Sequence, residues 1–502
     1  MSYKEVKQLR QENKLDEALL MAQQDLEAAP GDVLAKCSIA WVYDAFLKQH
    51  AYAKNGDAFL SVLDKMLSLG LGTGSSEKLL FDTLSWRILV ILRLWTSADN
   101  RAASESEAGK FADALFMRVK QIPWNKPGEG YSRILMAFNK MKDCWTGYRD
   151  FCDWWGWINF SAEDYRERVI AEGKSMFSLV EETYLNYARG LIRDKEKARI
   201  REFLGQMEAL QENHPEMMYV GYYIGKLLIE LGDESSEEWQ NVLPFVRKRK
   251  SEFWVWQLMA ELHQMDADKW MACMIRGINC RTKPDFLVRL YEKLAYKLEE
   301  KGLYAQTKYV VEKYLKIKET GKRKIAFGIQ QIVNSPWYAS CEAENPSDWM
   351  PYQKITDALL YEDLPARYVV VVYVNEVKKK MSFVCGKEQV GYASLEKLDG
   401  LAVGTVLKVR LKDDWKKEGA QHFLTCEISH EPFESDFYCQ TEGKLWMNDT
   451  RTYASVRTKG RQIYVPVSLV EGYQRGDNVH VAAALCFDAK KNNWNWKALN
   501  VL

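Results

Sequence analysis

Histidine is scarce in this chain, six among 502 residues, which leaves few side chains for metal ligation or proton transfer near neutral pH. An excess of charge of either sign is missing too. Lys and Arg number 70 against 69 Asp and Glu, a formal net charge of +1, so bulk charge cannot hold a polyanion and any such binding must rest on a local patch. No run of eighteen uncharged apolar residues occurs, so no segment is expected to span a membrane. The first residues, MSYKEVKQLRQEN, lack the apolar stretch of a secretory signal. The ten cysteines form no CxxC pair, and several sit in apolar helical stretches (Cys37, Cys144, Cys273). That usage points to reduced, buried thiols and a cytoplasmic protein. Signatures of catalysis are absent as well: no Walker A phosphate loop, no GxGxxG after a strand, no HExxH helix and no GxSxG elbow. Cys273 and Cys280 lie seven apart, the wrong spacing for a zinc pair. His422 and His430 flank Cys426, where a core thiol between edge histidines is the better reading than a metal site. The expectation is a binder, with no enzymatic activity, cofactor or metal.

What is present reads as a globular chain: 47% apolar and 28% charged residues, with eighteen Trp that require packing sites. Two halves follow different periods. Up to about residue 345 apolar positions recur every three or four residues. Tyr3, Val6 and Leu9, then Leu15, Ala18, Leu19, Ala22 and Leu26, predict two short helices joined at Asn13-Lys14 and closed by Pro30. A third helix begins at once, with Cys37, Ile39, Ala40 and Tyr43 on one face, followed by a loop at 54–57.

Ala18 and Pro30 stand twelve apart, a spacing that resembles the second-helix alanine and closing proline of tetratricopeptide repeats. Trp256, Met259, Ala260 and Ala272 keep that family's spacing, as do Leu294, Ala295, Leu298, Gly302, Tyr304 and Leu315, with Thr307 in place of an alanine. The stretch 74–240 is helical in pattern but fits the motif poorly. The resemblance implies an irregular tetratricopeptide-like α-solenoid over residues 1–320, whose stacked pairs either grip a protein partner or merely support the C-terminal part of the chain. Residues 321–365, rich in proline, read as a linker with one short helix around Thr356–Tyr361. Arg247-Lys248-Arg249-Lys250 reads as a solvated loop.

Beyond Pro365 the period becomes two. RYVVVVYVNEV, KMSFVCG, VGYASL, GTVLKVRLK and HFLTCEISH predict five strands over 366–430, and a second set of five occupies 433–502. Two successive five-strand units of this size suggest two small barrels of the OB type. The second resembles cold-shock and S-one-type nucleic-acid-binding modules. Gln462-Ile463-Tyr464-Val465-Pro466 lines up with that family's D-I-F-V-H strand and Thr452-Tyr453-Ala454-Ser455-Val456 with its G-F-G-F-I strand, while Arg475-Gly476-Asp477 matches its G-D turn. Tyr453 and Tyr464 thereby inherit stacking positions, whereas Ser455 and Pro466 replace the other two.

A base stacked on such a ring contributes about 1–3 kcal/mol without sequence preference. Arg451, Arg457, Lys459 and Arg461 are placed to meet phosphates. Trp494 and Trp496 are expected to divide between surface and interior, Trp494 being the freer. In the first unit Phe383 and Tyr392 are the corresponding aromatics, preceded by Lys378, Lys379 and Lys380. Residues 366–502 hold 20 Lys and Arg against 16 Asp and Glu, a modest local excess of +4. Plainer readings stand beside these: exposed Tyr also serves cross-strand packing, and Lys378–Lys380 also suits a hairpin turn. The combined architecture resembles accessory proteins of the bacterial TOTE conflict systems. That resemblance implies an adaptor that binds single-stranded RNA or DNA on its barrels and a protein on its helices; a pure protein scaffold is the alternative.

Overall fold

A left-handed residue at Asn13 (φ 59°) separates the first two helices, Tyr3–Gln11 and Leu15–Ala28, at the polar turn where the apolar pattern breaks. The computed structural model describes residues 2–96, 105–169, 173, 175–232, 237–348, 351–387, 389–394, 401–412, 420–458, 460–488 and 492–502. Two units divide the chain, Met1–Lys248 and Arg249–Leu502.

In the first unit the third helix, Val33–Tyr52, starts where the Asp32 carboxylate accepts the backbone N–H groups of Leu34 and Ala35 at 3.3 and 3.2 Å. Asn55 caps Gly56–Leu67 in the same way, accepting from Ala58 N at 3.1 Å. Consecutive helices pack against each other, and Ala18 and Ala40 are fully buried at the crossings. The central stretch departs from this pairing because large rings fill it. Tyr131 and Trp155 stack at 5.0 Å; the Tyr131 hydroxyl donates to the Trp155 carbonyl and the Trp155 indole N–H to the Tyr131 carbonyl, at 2.9 and 3.0 Å. Phe116, Phe138, Trp145 and Phe151 extend the aromatic core. Beyond them lies a short hairpin, β1 (Arg168–Val169) and β2 (Ser175–Met176).

The second unit opens with helices Phe253–Leu262, Ala267–Ile278, Pro284–Glu300 and Tyr304–Thr320, in which Trp256, Met259, Ala260, Ala272, Leu294, Ala295, Leu298 and Thr307 are all buried. Among the described residues no helix of either unit is long and apolar enough to cross a membrane. The expected linker over 321–365 is corrected. Its described residues include the α-helices Phe327–Val333, Pro336–Ser340 and Pro351–Tyr361 and bury Ile329, Ile332, Leu359 and Leu360. Pro336 and Pro351 sit in the first helical turn, where a missing N–H costs nothing, so these prolines start helices. The expected solvated loop over 247–250 also acquires partners: Lys248 Nζ donates to the Pro215 carbonyl at 3.2 Å, and Lys250 Nζ donates to the Tyr361 hydroxyl at 2.9 Å.

Among the described residues ten strands follow. β3 (Arg367–Asn375), β4 (Lys380–Gly386), β5 (Gln389–Ser394), β6 (Val406–Leu411) and β7 (Phe423–Ile428) form an antiparallel sheet in the order β5-β4-β3-β6-β7. A parallel bridge between Tyr392 and Ala420 brings its two edges together. β8 (Tyr438–Met447), β9 (Ala454–Thr458), β10 (Arg461–Val465), β11 (Asn478–Asp488) and β12 (Asn493–Val501) form a closed barrel, sealed by parallel pairing of β10 with β12 at Tyr464–Lys497. Gly443 lets β8 lie tight on β9: a Cβ there would meet Val456 Cγ1 at 2.6 Å and the Arg457 carbonyl at 2.7 Å. Each barrel has its own core, built on Val369, Val371, Met381 and Phe383 in the first and on Leu445, Val456, Ile463 and Val481 in the second. A third cluster joins them. Val370 and Val384 of the first barrel pack with Tyr438, Ala482, Ala484 and Leu499 of the second.

Candidate nucleic-acid interface

Alternation along β8, β9 and β10 turns Leu445, Met447, Val456, Ile463 and Val465 into the barrel and leaves the intervening residues on its outer face. Pairing register then sets three of these in one row: Trp446 opposite Ser455, and Ser455 opposite Tyr464. Directly opposed residues share a face, so the two aromatic side chains flank the serine. Tyr453 completes the group from the turn before β9. Its ring lies 5.6 Å from Tyr464 and 6.0 Å from Trp446. Asn448 shapes that turn, its side-chain oxygen accepting the Thr452 and Tyr453 N–H groups at 2.9 and 3.0 Å. Ser455 is fully buried beneath the rings, while Tyr464 keeps 37% of its surface exposed.

Cations surround this group unevenly. Arg457 is exposed on the same face, opposite Lys444 and Gln462. Arg451 is exposed in the preceding turn, with φ 52°. Arg475 lies over the Trp446 ring at 5.5 Å, with Asp449 3.6 Å from its guanidinium. Arg461 belongs elsewhere: it covers Trp496 at 4.5 Å, on the face of the sheet opposite to Tyr464. Lys459 lies outside the described residues.

Trp494 does not take the position expected of it. Residues two apart on a strand share a face, and Trp494 and Trp496 both pack against the cluster that joins the barrels. Trp494 is half-buried beside Phe487, the ring centroids 5.5 Å apart.

In the first barrel Phe383 is corrected from surface platform to core. It has no exposed surface and packs on Phe423 at 5.3 Å, because the apolar set Met381 and Phe383 turns inward and Lys380 and Ser382 turn out. Tyr392 is 38% exposed, with the Lys380 ammonium over its ring at 5.3 Å. Lys379 lies in the exposed hairpin turn between β3 and β4 with φ 45°, the plainer of its two readings.

Sequence reasoning passed over Trp446 and Tyr373, and placed Arg475 only in a turn. The signal for Trp446 was present: in Lys444-Leu445-Trp446-Met447 the flanking Leu and Met take the inward positions, which leaves Trp on the side of Lys444. Around Cys426, whose thiol burial pushes up to about 12, His422 and His430 are both exposed. Among the described residues no group of three His, Cys, Asp or Glu side chains is placed to hold a metal ion.

Three family models match parts of the chain. Residues 361–424 match the S1/CSD-like domain 1 of the TOTE conflict systems, and residues 441–501 match the S1/CSD-like domain 2 of the same systems. Residues 218–358 match a domain of unknown function, DUF7017. No curated protein matches the chain.

Proposed function

We propose that this chain is a non-enzymatic adaptor of a bacterial conflict system acting against phage or mobile elements. It binds single-stranded RNA or DNA on its barrels and a protein partner on its helices. The observation that carries the reading is the group of Trp446, Tyr453 and Tyr464 gathered over Ser455 on the outer face of the second barrel. Such rings accept any base by its flat face, and Arg451 and Arg457 stand beside them for phosphate. The matches to two S1/CSD-like domains of TOTE systems support both the nucleic-acid class and the conflict-system setting. The helical pairs, with alanines buried at their crossings, support a tetratricopeptide-like platform. Leu20, Leu34 and Leu79, each more than half exposed, give the N-terminal helices apolar surface for a partner.

Titration of the full chain against oligo-dT and oligo-U at low salt tests the reading. Affinity tighter than millimolar, lost when Tyr453 and Tyr464 are both replaced by alanine, is expected. A partner that copurifies after nuclease treatment and survives both substitutions, with no oligonucleotide bound, would make the chain a protein scaffold with structural barrels.

A further inference from the structure

The first barrel repeats the arrangement of the second in a reduced form. Tyr373 on β3 pairs with Ser382 on β4, and Ser382 with Tyr392 on β5, matching Trp446, Ser455 and Tyr464 strand for strand. The equivalence extends to closure. Tyr392 makes the parallel bridge to Ala420 just as Tyr464 pairs in parallel with Lys497. Two residues before the central serine the second barrel has Tyr453 with its ring 5.6 Å from Tyr464, and the first has Lys380 with its ammonium 5.3 Å from the Tyr392 ring. A cation thus stands where the third ring would be. Tyr373 and Tyr392 are 57% and 38% exposed.

A β-bulge between Val371 and Tyr373 lies at the change from covered to open surface on β3. On one side of it Val370 packs with Val384 in the cluster that joins the barrels, and on the other Tyr373 faces solvent. In the second barrel β8 runs from Tyr438 in that cluster to Trp446, about 26 Å away at roughly 3.3 Å per residue. The joining cluster buries side chains of both barrels against each other, which ties the two rows together.

We infer that Tyr373, Tyr392 and Lys380 form a second strand-binding row, and that the two barrels act as a two-site unit on one continuous single-stranded polynucleotide. The inference rests on the proposed function. A strand long enough to reach both rows gains an intramolecular second contact, whereas a short one occupies a single row. Length therefore becomes the property the tandem selects.

The test is a length series of oligo-dT and of oligo-U, from about 5 to about 30 nucleotides, since one OB fold covers about 4–16. Affinity is expected to step up at a threshold length by at least about tenfold. With Tyr373→Ala and Tyr392→Ala together the ratio of long- to short-oligomer affinity falls, leaving only the slow rise that extra binding registers give. Lys380→Glu, which leaves both rings in place and puts a carboxylate over Tyr392, lowers the same ratio and covers the case in which the double variant fails to fold. A smooth length dependence in the parent, or a ratio unchanged in folded variants, overturns the second row while leaving the second barrel's binding intact. Absence of binding at every length overturns the parent reading instead. A step seen with oligo-U alone or oligo-dT alone identifies the polymer.

Discussion

Replacing Tyr464 by alanine removes a ring that is 37% exposed and lies 5.6 Å from its neighbour Tyr453. A base stacked on such a ring contributes about 1–3 kcal/mol. At tenfold per 1.4 kcal/mol, the substitution is expected to weaken oligonucleotide binding about 5- to 140-fold. Tyr453→Ala acts on the same cluster, so the double variant loses less than the two single losses combined. The fold tolerates the change better than the site does, because a cross-strand pair contributes only about 0.2–1 kcal/mol. Fluorescence anisotropy of a labelled oligo-U at low salt, beside a thermal melt of each variant, separates the two effects. Arg457→Gln should reduce the slope of log affinity against log salt by about 0.7, the value for one phosphate on a single strand. An affinity for Tyr464→Ala within about twofold of the parent, with an unchanged melt, would refute the stacking argument.

Ser455→Phe restores the aromatic of the resembling family, yet Ser455 has no exposed surface beneath three rings, so overpacking of about 1–3 kcal/mol should lower both stability and affinity; chemical denaturation and anisotropy read the two. Phe383→Ala opens a cavity in the first barrel's core and should cost about 3–5 kcal/mol by denaturation, with affinity per folded molecule of short oligomers retained. His263 gives a pH dependence. Burial lowers its pKa to about 4, with Lys269 adding to the effect and Asp266 opposing it. The unfolded chain therefore takes up a proton before the folded one does, and the stability held at neutral pH is lost as pH falls from about 6.5 through about 4, by at most about 3 kcal/mol. In urea titrations at several pH values His263→Gln should lose less on acidification than the parent; a parent–variant difference independent of pH would count against this.

Local chemistry alone settled a good deal of the molecule. The change of period at Pro365 marked where the two sheets begin, and the ten strands described beyond it formed where β-branched and aromatic residues cluster. Asn13, a polar break between two apolar stripes, became the left-handed turn between the first helices. Small residues such as Ala18, Ala272 and Ala295 became fully buried where helices pack. Other features required contacts between residues far apart in the chain. Proline marks an interruption but not whether a helix begins after it, and packing against earlier helices is what holds Phe327–Val333, Pro336–Ser340 and Pro351–Tyr361. Tyr453 and Tyr464 were legible as candidates, and their meeting with Trp446 over Ser455 depended on the register of three strands. Alternation assigns a residue to one of two faces. Whether that face meets solvent is decided by what lies opposite, which is why Val370 disappears between the barrels while Tyr373, just past a bulge on the same strand, remains open.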